Sequence, residues 1–186
     1  IEEKPTLTFG KDPLSASPVV VGMGPAGLFA ALILAQNGYS PILIDRGGSI
    51  AERTADVTRF RNEGVLNTES NVQFGAGGAG TFSDGKLITR ISDPLCNYVL
   101  KSLVTYGAPE DICIKAKPHI GTDILRVVVD NILEEIKRLG GQVIYHCRMD
   151  GIQESSKQTL CIKTTKGDFQ AGALLLAPGH SARDTY

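Results

Sequence analysis

The chain has 186 residues, 19 basic and 20 acidic side chains, and a composition that is 42% hydrophobic and 21% charged. That length supports one domain with a real core, and the balance is that of an ordinary globular protein. A formal net charge of -1 without a Lys/Arg cluster argues against nucleic acid or an anionic membrane surface as a partner.

The 21 glycines gather at Gly22–Gly27 and Gly75–Gly85, which marks loops that approach a ligand closely. Cys96, Cys113, Cys147 and Cys161 show no CxxC spacing. They read as reduced thiols, and a cytoplasmic location is expected. His119, His146 and His180 are scattered, so no metal site is expected. The longest wholly apolar stretch, Leu28 to Ala35, is far short of the ~18 residues of a membrane helix. No signal peptide is seen at Ile1, and the chain stops at Tyr186 soon after a predicted strand. A fragment of something longer is therefore expected.

Residues 1–17, polar and carrying Pro5 and Pro13, read as a linker or the tail of an upstream region. Val19-Val20-Val21 suits a buried parallel strand within Pro18–Met23. Ala26 to Gln36 is apolar nearly all round, which predicts a buried helix stopped by Asn37-Gly38. Pro41–Asp45 is the second strand, completing a βαβ unit. Arg46 to Thr68 is polar and reads as a loop and a short helix. Leu95 to Tyr106 reads as a helix stopped by Gly107. Gly121 to Gly140 carries Leu125, Val128, Val129, Ile132, Ile136 and Leu139 at helical spacing, with Thr122 as the expected N-cap. Three strands follow, at Gln142–Arg148, Gln158–Thr164 and Ala173–Ala177, with a turn at Lys166-Gly167-Asp168.

Gly22-Met23-Gly24-Pro25-Ala26-Gly27 fits G-x-G-x-x-G, and it stands between a predicted strand and a predicted helix, as the dinucleotide fingerprint requires. Gly22 permits the tight turn, Gly24 admits a pyrophosphate, and Gly27 lets helix and strand pack closely. Pro25 fits the first helical turn, where a missing N–H costs little. The helix N-terminus offers free N–H groups to phosphates. Asp45 follows Gly27 by eighteen positions and ends the second strand. A carboxylate there accepts from ribose hydroxyls and repels a 2′-phosphate. The expected architecture is α/β: a Rossmann-like FAD/NAD(P)-binding domain over 18–186, with a parallel sheet, flanking helices and a small antiparallel β-meander. Residues 88–120 read as a helical insertion. Fingerprint physics alone leaves FAD and NAD open.

A second loop, Phe74 to Leu87, has the composition either of a flexible linker or of a wall that passes close to a flavin. With it, the sequence resembles the bacterial uncharacterised FAD-dependent proteins, or FAD-dependent dehydrogenases, among the two-dinucleotide-binding-domain flavoproteins. The resemblance rests on Gly22–Gly27, Ile44-Asp45-Arg46-Gly47, Asn71 to Leu87, Lys117-Pro118-His119-Ile120-Gly121-Thr122-Asp123, and Leu176 to Thr185. It departs at Ala76, where members often carry Glu, and in length, since members continue into a C-terminal part that returns to finish the flavin domain.

The resemblance implies FAD, with NAD(P)H as a candidate co-substrate. Gly22, Gly24, Pro25, Ala26 and Gly27 would contact the diphosphate. Asp45 would hold the adenosine ribose, with Arg46 beside it, and Arg53 would reach a phosphate or point to solvent. Met149 would present backbone to the adenine. Gly78, Ala79, Gly80 and Thr81 would face the flavin, as would the turn Ala177, Pro178, Gly179. Lys86 and His180 are weak catalytic candidates, each with a solvated charge or a surface role as its plainer reading. Arg183 follows His180 and stands with it, whereas His119 reads as core or surface. The implied activity is a flavin-dependent oxidoreductase acting on a small molecule. The alternatives are an NAD-binding dehydrogenase or synthase-like enzyme, and a flavin-binding regulatory or RNA-modification partner. Without a returning segment, the sheet is expected to keep an open edge, to favour self-association and to hold FAD weakly or not at all.

Overall fold

The computed structural model describes residues 13–83, 85–87, 91–115, 118–156 and 159–185. Most of the expected linker (residues 1–12), as well as Asp84, Lys117 and Gln158 from the expected motifs and strands, lies outside them.

Four strands form a parallel sheet: β1 (Pro18–Val21), β2 (Ile42–Ile44), β3 (Gln142–Ile144) and β7 (Ala173–Leu176), in the order β3-β2-β1-β7. The register aligns Val20 with Leu43 on one side and with Leu175 on the other. Alternation along β1 and β2 splits their side chains between two cores. Val20 and Leu43 join a cluster under the helices, with Leu32, Val128, Ile132 and Ile136. Val19, Val21, Ile42 and Ile44 point the other way, onto Met149, Ile162 and Ala171. Those last three belong to a second sheet, antiparallel, made by β4 (Met149–Ser156), β5 (Thr159–Thr164) and β6 (Phe169–Ala171). The parallel sheet is thus the middle layer of three. The apolar runs of β1 and β2 have no polar face because both of their faces are covered.

The helices are α1 (Pro25–Gln36), α2 (Ile50–Glu63), α3 (Leu95–Thr105) and α4 (Thr122–Arg138). Helix α1 ends where the Asn37 side chain donates to Ile33 O and Gly38 turns the chain at φ 83°. Helix α2 begins with a capping box: Ser49 Oγ accepts from Glu52 N–H, and the Glu52 carboxylate accepts from Ser49 N–H.

Four sequence expectations are corrected. The strand over Gln142–Arg148 stops at Ile144, since Tyr145 and His146 turn the chain and His146 takes φ 52°. The expected antiparallel β-meander forms, but its outer strands are β4, from Met149, and β6, at Phe169–Ala171, rather than the segments expected as strands. Helix α2 has 14 residues rather than being short. The N-cap of α4 is Gly121, with Thr122 already inside the helix and no side chain capping it.

Candidate functional site

The strand–turn–helix at β1–α1 has the geometry its glycines require. Gly22 takes φ +103°, and a Cβ there would stand 2.2 Å from Ala177 O. At Gly27 a Cβ would fall 1.8 Å from Gly22 O, so only glycine lets α1 rest on the turn. Gly24 differs. Its nearest neighbour for an added Cβ is the Gly78 Cα at 3.9 Å, so the space beside it is open cleft. Gly24 is the N-cap of α1 and Pro25 stands at its first position. The helix start has no side chain hydrogen-bonded to its first N–H groups, and its opening residues Gly24 and Pro25 line that cleft.

The second glycine loop is built against the first. Gly77 N–H donates to Met23 O at 2.8 Å and Ala76 N–H to Gly48 O at 3.1 Å. A Cβ on Gly78, at φ +64°, would lie 2.9 Å from Gly24 Cα. The two loops thus face each other through two glycines. The clamp behind this wall is Arg53, which is 0% exposed. Its Nε donates to Asn71 O (2.7 Å), Nη2 to Val72 O (2.7 Å), and Nη1 to Ala76 O (2.6 Å) and Thr81 Oγ1 (2.8 Å). The Phe82 ring covers the guanidinium at 4.6 Å. Burial lowers its pKa to about 10, so it stays charged at neutral pH. The structure therefore assigns Arg53 to neither expected role: it lies inside the molecule, with its donors on loop carbonyls. Ala76 is fully buried beside it.

Asp45 stands at the floor of the cleft, 7% exposed. Its Oδ2 accepts from Met23 N–H at 2.7 Å and its Oδ1 from Gly47 N–H at 2.8 Å. One carboxylate thus locks the fingerprint loop to the end of β2 and keeps lone pairs for a ligand. Arg46 lies over the Phe74 ring, with Nη2 2.6 Å from Asp184 and Nε 3.6 Å from Glu69. That contact holds the Asp184 carboxyl below the usual carboxylate range. Cys147 N–H donates to Asp45 O, which draws Cys147, Arg148 and Met149 into the wall.

Of the expected residues, Gly22, Gly24, Pro25, Asp45, Arg46, Gly78, Ala79, Met149, Ala177, Pro178, Gly179 and His180 line this one cleft. Ala26 and Gly27 lie in the helix start behind it, and Gly80 and Thr81 in the 3-10 turn Ala79–Phe82. Thr81 is buried and donates to Gly78 O. Lys86 is not among the lining residues; it is exposed and bridges to His119. Arg183, which is exposed, is also outside the lining. Sequence reasoning missed Gln73, Phe74, Cys147 and Ser181 on the wall and Glu69 behind it. Ser181 Oγ donates to Gln73 Oε1 at 3.1 Å, closing the C-terminal turn onto the second loop. Gln73, Phe74 and Ser181 lie in the marked loops Asn71 to Leu87 and Leu176 to Thr185, but loop residues carry no periodic signal that says which side chains face the cleft.

The fold and the cleft together define a Rossmann-like α/β domain with a parallel four-stranded sheet, flanking helices and a small antiparallel sheet. No protein-family profile matches the chain. It is 50% identical over all 186 residues to an uncharacterized protein of Clostridium beijerinckii, and spans 35% of that protein's length. Among solved structures it superposes on the tetracycline destructase Tet(51) with a TM-score of 0.55 and 14% identity, covering 94% of this chain and 42% of that one. THI4 of Thermovibrio ammonificans gives 0.52 and 17%, covering 90% and 58%. These likenesses establish the shared fold. No helix among the described residues is long and apolar enough to cross a membrane.

Proposed function

We propose that this chain is the FAD-binding part of a flavin-dependent oxidoreductase that acts on a small molecule. The observation that carries the reading is the cleft lined by Gly24 and Gly78, where the two glycine loops meet backbone to backbone, beside the start of α1 and with the buried Asp45 carboxylate in its wall. A side chain on Gly24 would project into that cleft and one on Gly78 would push the two loops apart, and the partial positive charge of the helix start suits a diphosphate. The lone pairs left on Asp45 suit ribose hydroxyls. When bound, FAD supplies the redox chemistry. The chain's own residues hold it: the two glycine loops grip the diphosphate, Asp45 fixes the ribose, and Cys147 to Met149 wall the adenosine end. Of the two catalytic candidates, His180 is the one on the cleft wall, with Nε2 3.4 Å from Ser181 Oγ. NAD(P)H remains the proposed co-substrate.

The absorbance spectrum of the purified protein, followed by titration with FAD and with NAD, tests this. Visible flavin absorbance, or FAD binding tighter than NAD binding, is expected. Uptake of NAD alone, or of neither dinucleotide, overturns the reading.

A further inference from the structure

Arg46 and Arg148 both stand on the cleft wall beside Asp45. Two guanidiniums so placed are the usual equipment for gripping a phosphate. Here both are already engaged. Glu69 sets one carboxylate oxygen on each: Oε2 lies 3.6 Å from Arg46 Nε and Oε1 lies 3.4 Å from Arg148 Nη1. Asp184 takes the other side of Arg46 at 2.6 Å, and Asp150 takes Arg148 Nε at 2.8 Å. Three carboxylates, Glu69, Asp184 and Asp150, thus pair with two guanidiniums, and Asp45 lines the cleft beside them.

The loop that carries Glu69 is pinned. Glu69 N–H donates to Asn67 Oδ1 at 3.1 Å, and the fully buried Ser70 accepts from Gly48 N–H at 3.3 Å. Glu69 itself stays behind the two arginines and does not line the cleft. Among these carboxylates it alone spans both cations.

We propose that Glu69 is a positioning residue that sets the choice between a plain adenosine ribose and one carrying a 2′-phosphate, acting through Arg46 and Arg148. The inference rests on the reading of Asp45 as the ribose end of a dinucleotide site. A ribose brings hydroxyl donors, which Asp45 accepts. A 2′-phosphate brings about two negative charges into a region already in carboxylate excess. The arginines that would receive it are held by Glu69.

The test titrates ADP-ribose and 2′-phospho-ADP-ribose into the wild type, Glu69→Gln and Glu69→Asp, by calorimetry at low and at physiological salt. The wild type is expected to favour ADP-ribose by about tenfold or more. In Glu69→Gln that preference shrinks by about tenfold, most clearly at low salt, with ADP-ribose affinity nearly unchanged. Glu69→Asp keeps it. A general loosening of the loop would weaken both ligands in parallel and leave their ratio fixed, and that result overturns the proposal. An unchanged ratio with unchanged affinities overturns it equally, while leaving the dinucleotide reading intact. If the wild type binds neither ligand, the dinucleotide reading and this inference fall together.

Discussion

At the scale of single residues, Arg53 shows how a charged side chain becomes a scaffold. It sits in α2 with Ile50 and Val57 on the buried face, at spacings of three and four residues. Its guanidinium replaces several local hydrogen bonds that the chain from Asn71 to Thr81 does not make for itself. Substitution by Met keeps much of the volume but leaves the buried Ala76 carbonyl and the part-buried Asn71 and Val72 carbonyls without this donor. Arg53→Met is expected to lower stability by about 3 kcal/mol or more, since each charge-assisted bond contributes about 1.5–3 kcal/mol and buried acceptors left unpaired add to the loss. Urea unfolding measures this, and a loss well under 1 kcal/mol would show that the loop holds its shape without the arginine. This role is not legible from position 53 alone, because an arginine among polar residues reads as solvated until the loop it meets is known. Asp45 was easier. Its place at the end of β2 is a local pattern, although its two bonds to Met23 and Gly47 N–H groups depend on the fold.

Among the elements, the two fingerprint glycines separate folding from binding. At Gly27 a Cβ collides with Gly22 O at 1.8 Å, whereas at Gly24 the Cβ position is open and the backbone, at φ -72°, is one that any residue adopts. Gly27→Ala is therefore expected to destabilise the protein by about 2 kcal/mol or more, as an overpacked contact with backbone. Gly24→Val is expected to fold with a melting temperature near that of the wild type and to lose dinucleotide binding, because its side chain projects into the open cleft beside the start of α1. Thermal unfolding and ligand titration of the two variants check the contrast; matching defects in both would mean that Gly24 is a folding glycine too. Strongly patterned elements were legible: β1, α1, β2 and α4 follow from apolar runs and helical periodicity. The misread elements have physical causes. Strand β4 (Met-Asp-Gly-Ile-Gln-Glu-Ser-Ser) is mostly polar and exposed beyond Met149, so no apolar alternation marks it. Helix α2 buries an arginine on its inner face, which hides its amphipathic stripe.

Across the whole molecule, the cleft exists only when distant parts of the chain meet. Its walls come from β1–α1, the end of β2, the loop at Gln73–Ala79, the segment before β4 and the turn after β7. The sequence showed most of these segments as motifs. It did not show that Arg53 and the Gly24–Gly78 contact assemble them, because those contacts are long-range. β7 is the last strand of the parallel sheet, and Leu175 and Leu176 are 40% and 45% exposed. Self-association along that edge is accordingly our proposal, so protein concentration must be held fixed in any measurement of stability. A ligand held by segments this far apart binds the folded state and has no site in the unfolded chain. At about a hundred times its dissociation constant, FAD is therefore expected to stabilise the fold by about 2.7 kcal/mol, and to do so even if its affinity is weak. The gain should appear as an upward shift of one cooperative transition, with slower amide exchange at Gly22–Gly27, Gly75–Ala79 and Cys147–Met149 together. Protection confined to one of those segments, or stabilisation that follows protein concentration rather than FAD concentration, would show that the segments do not form one site.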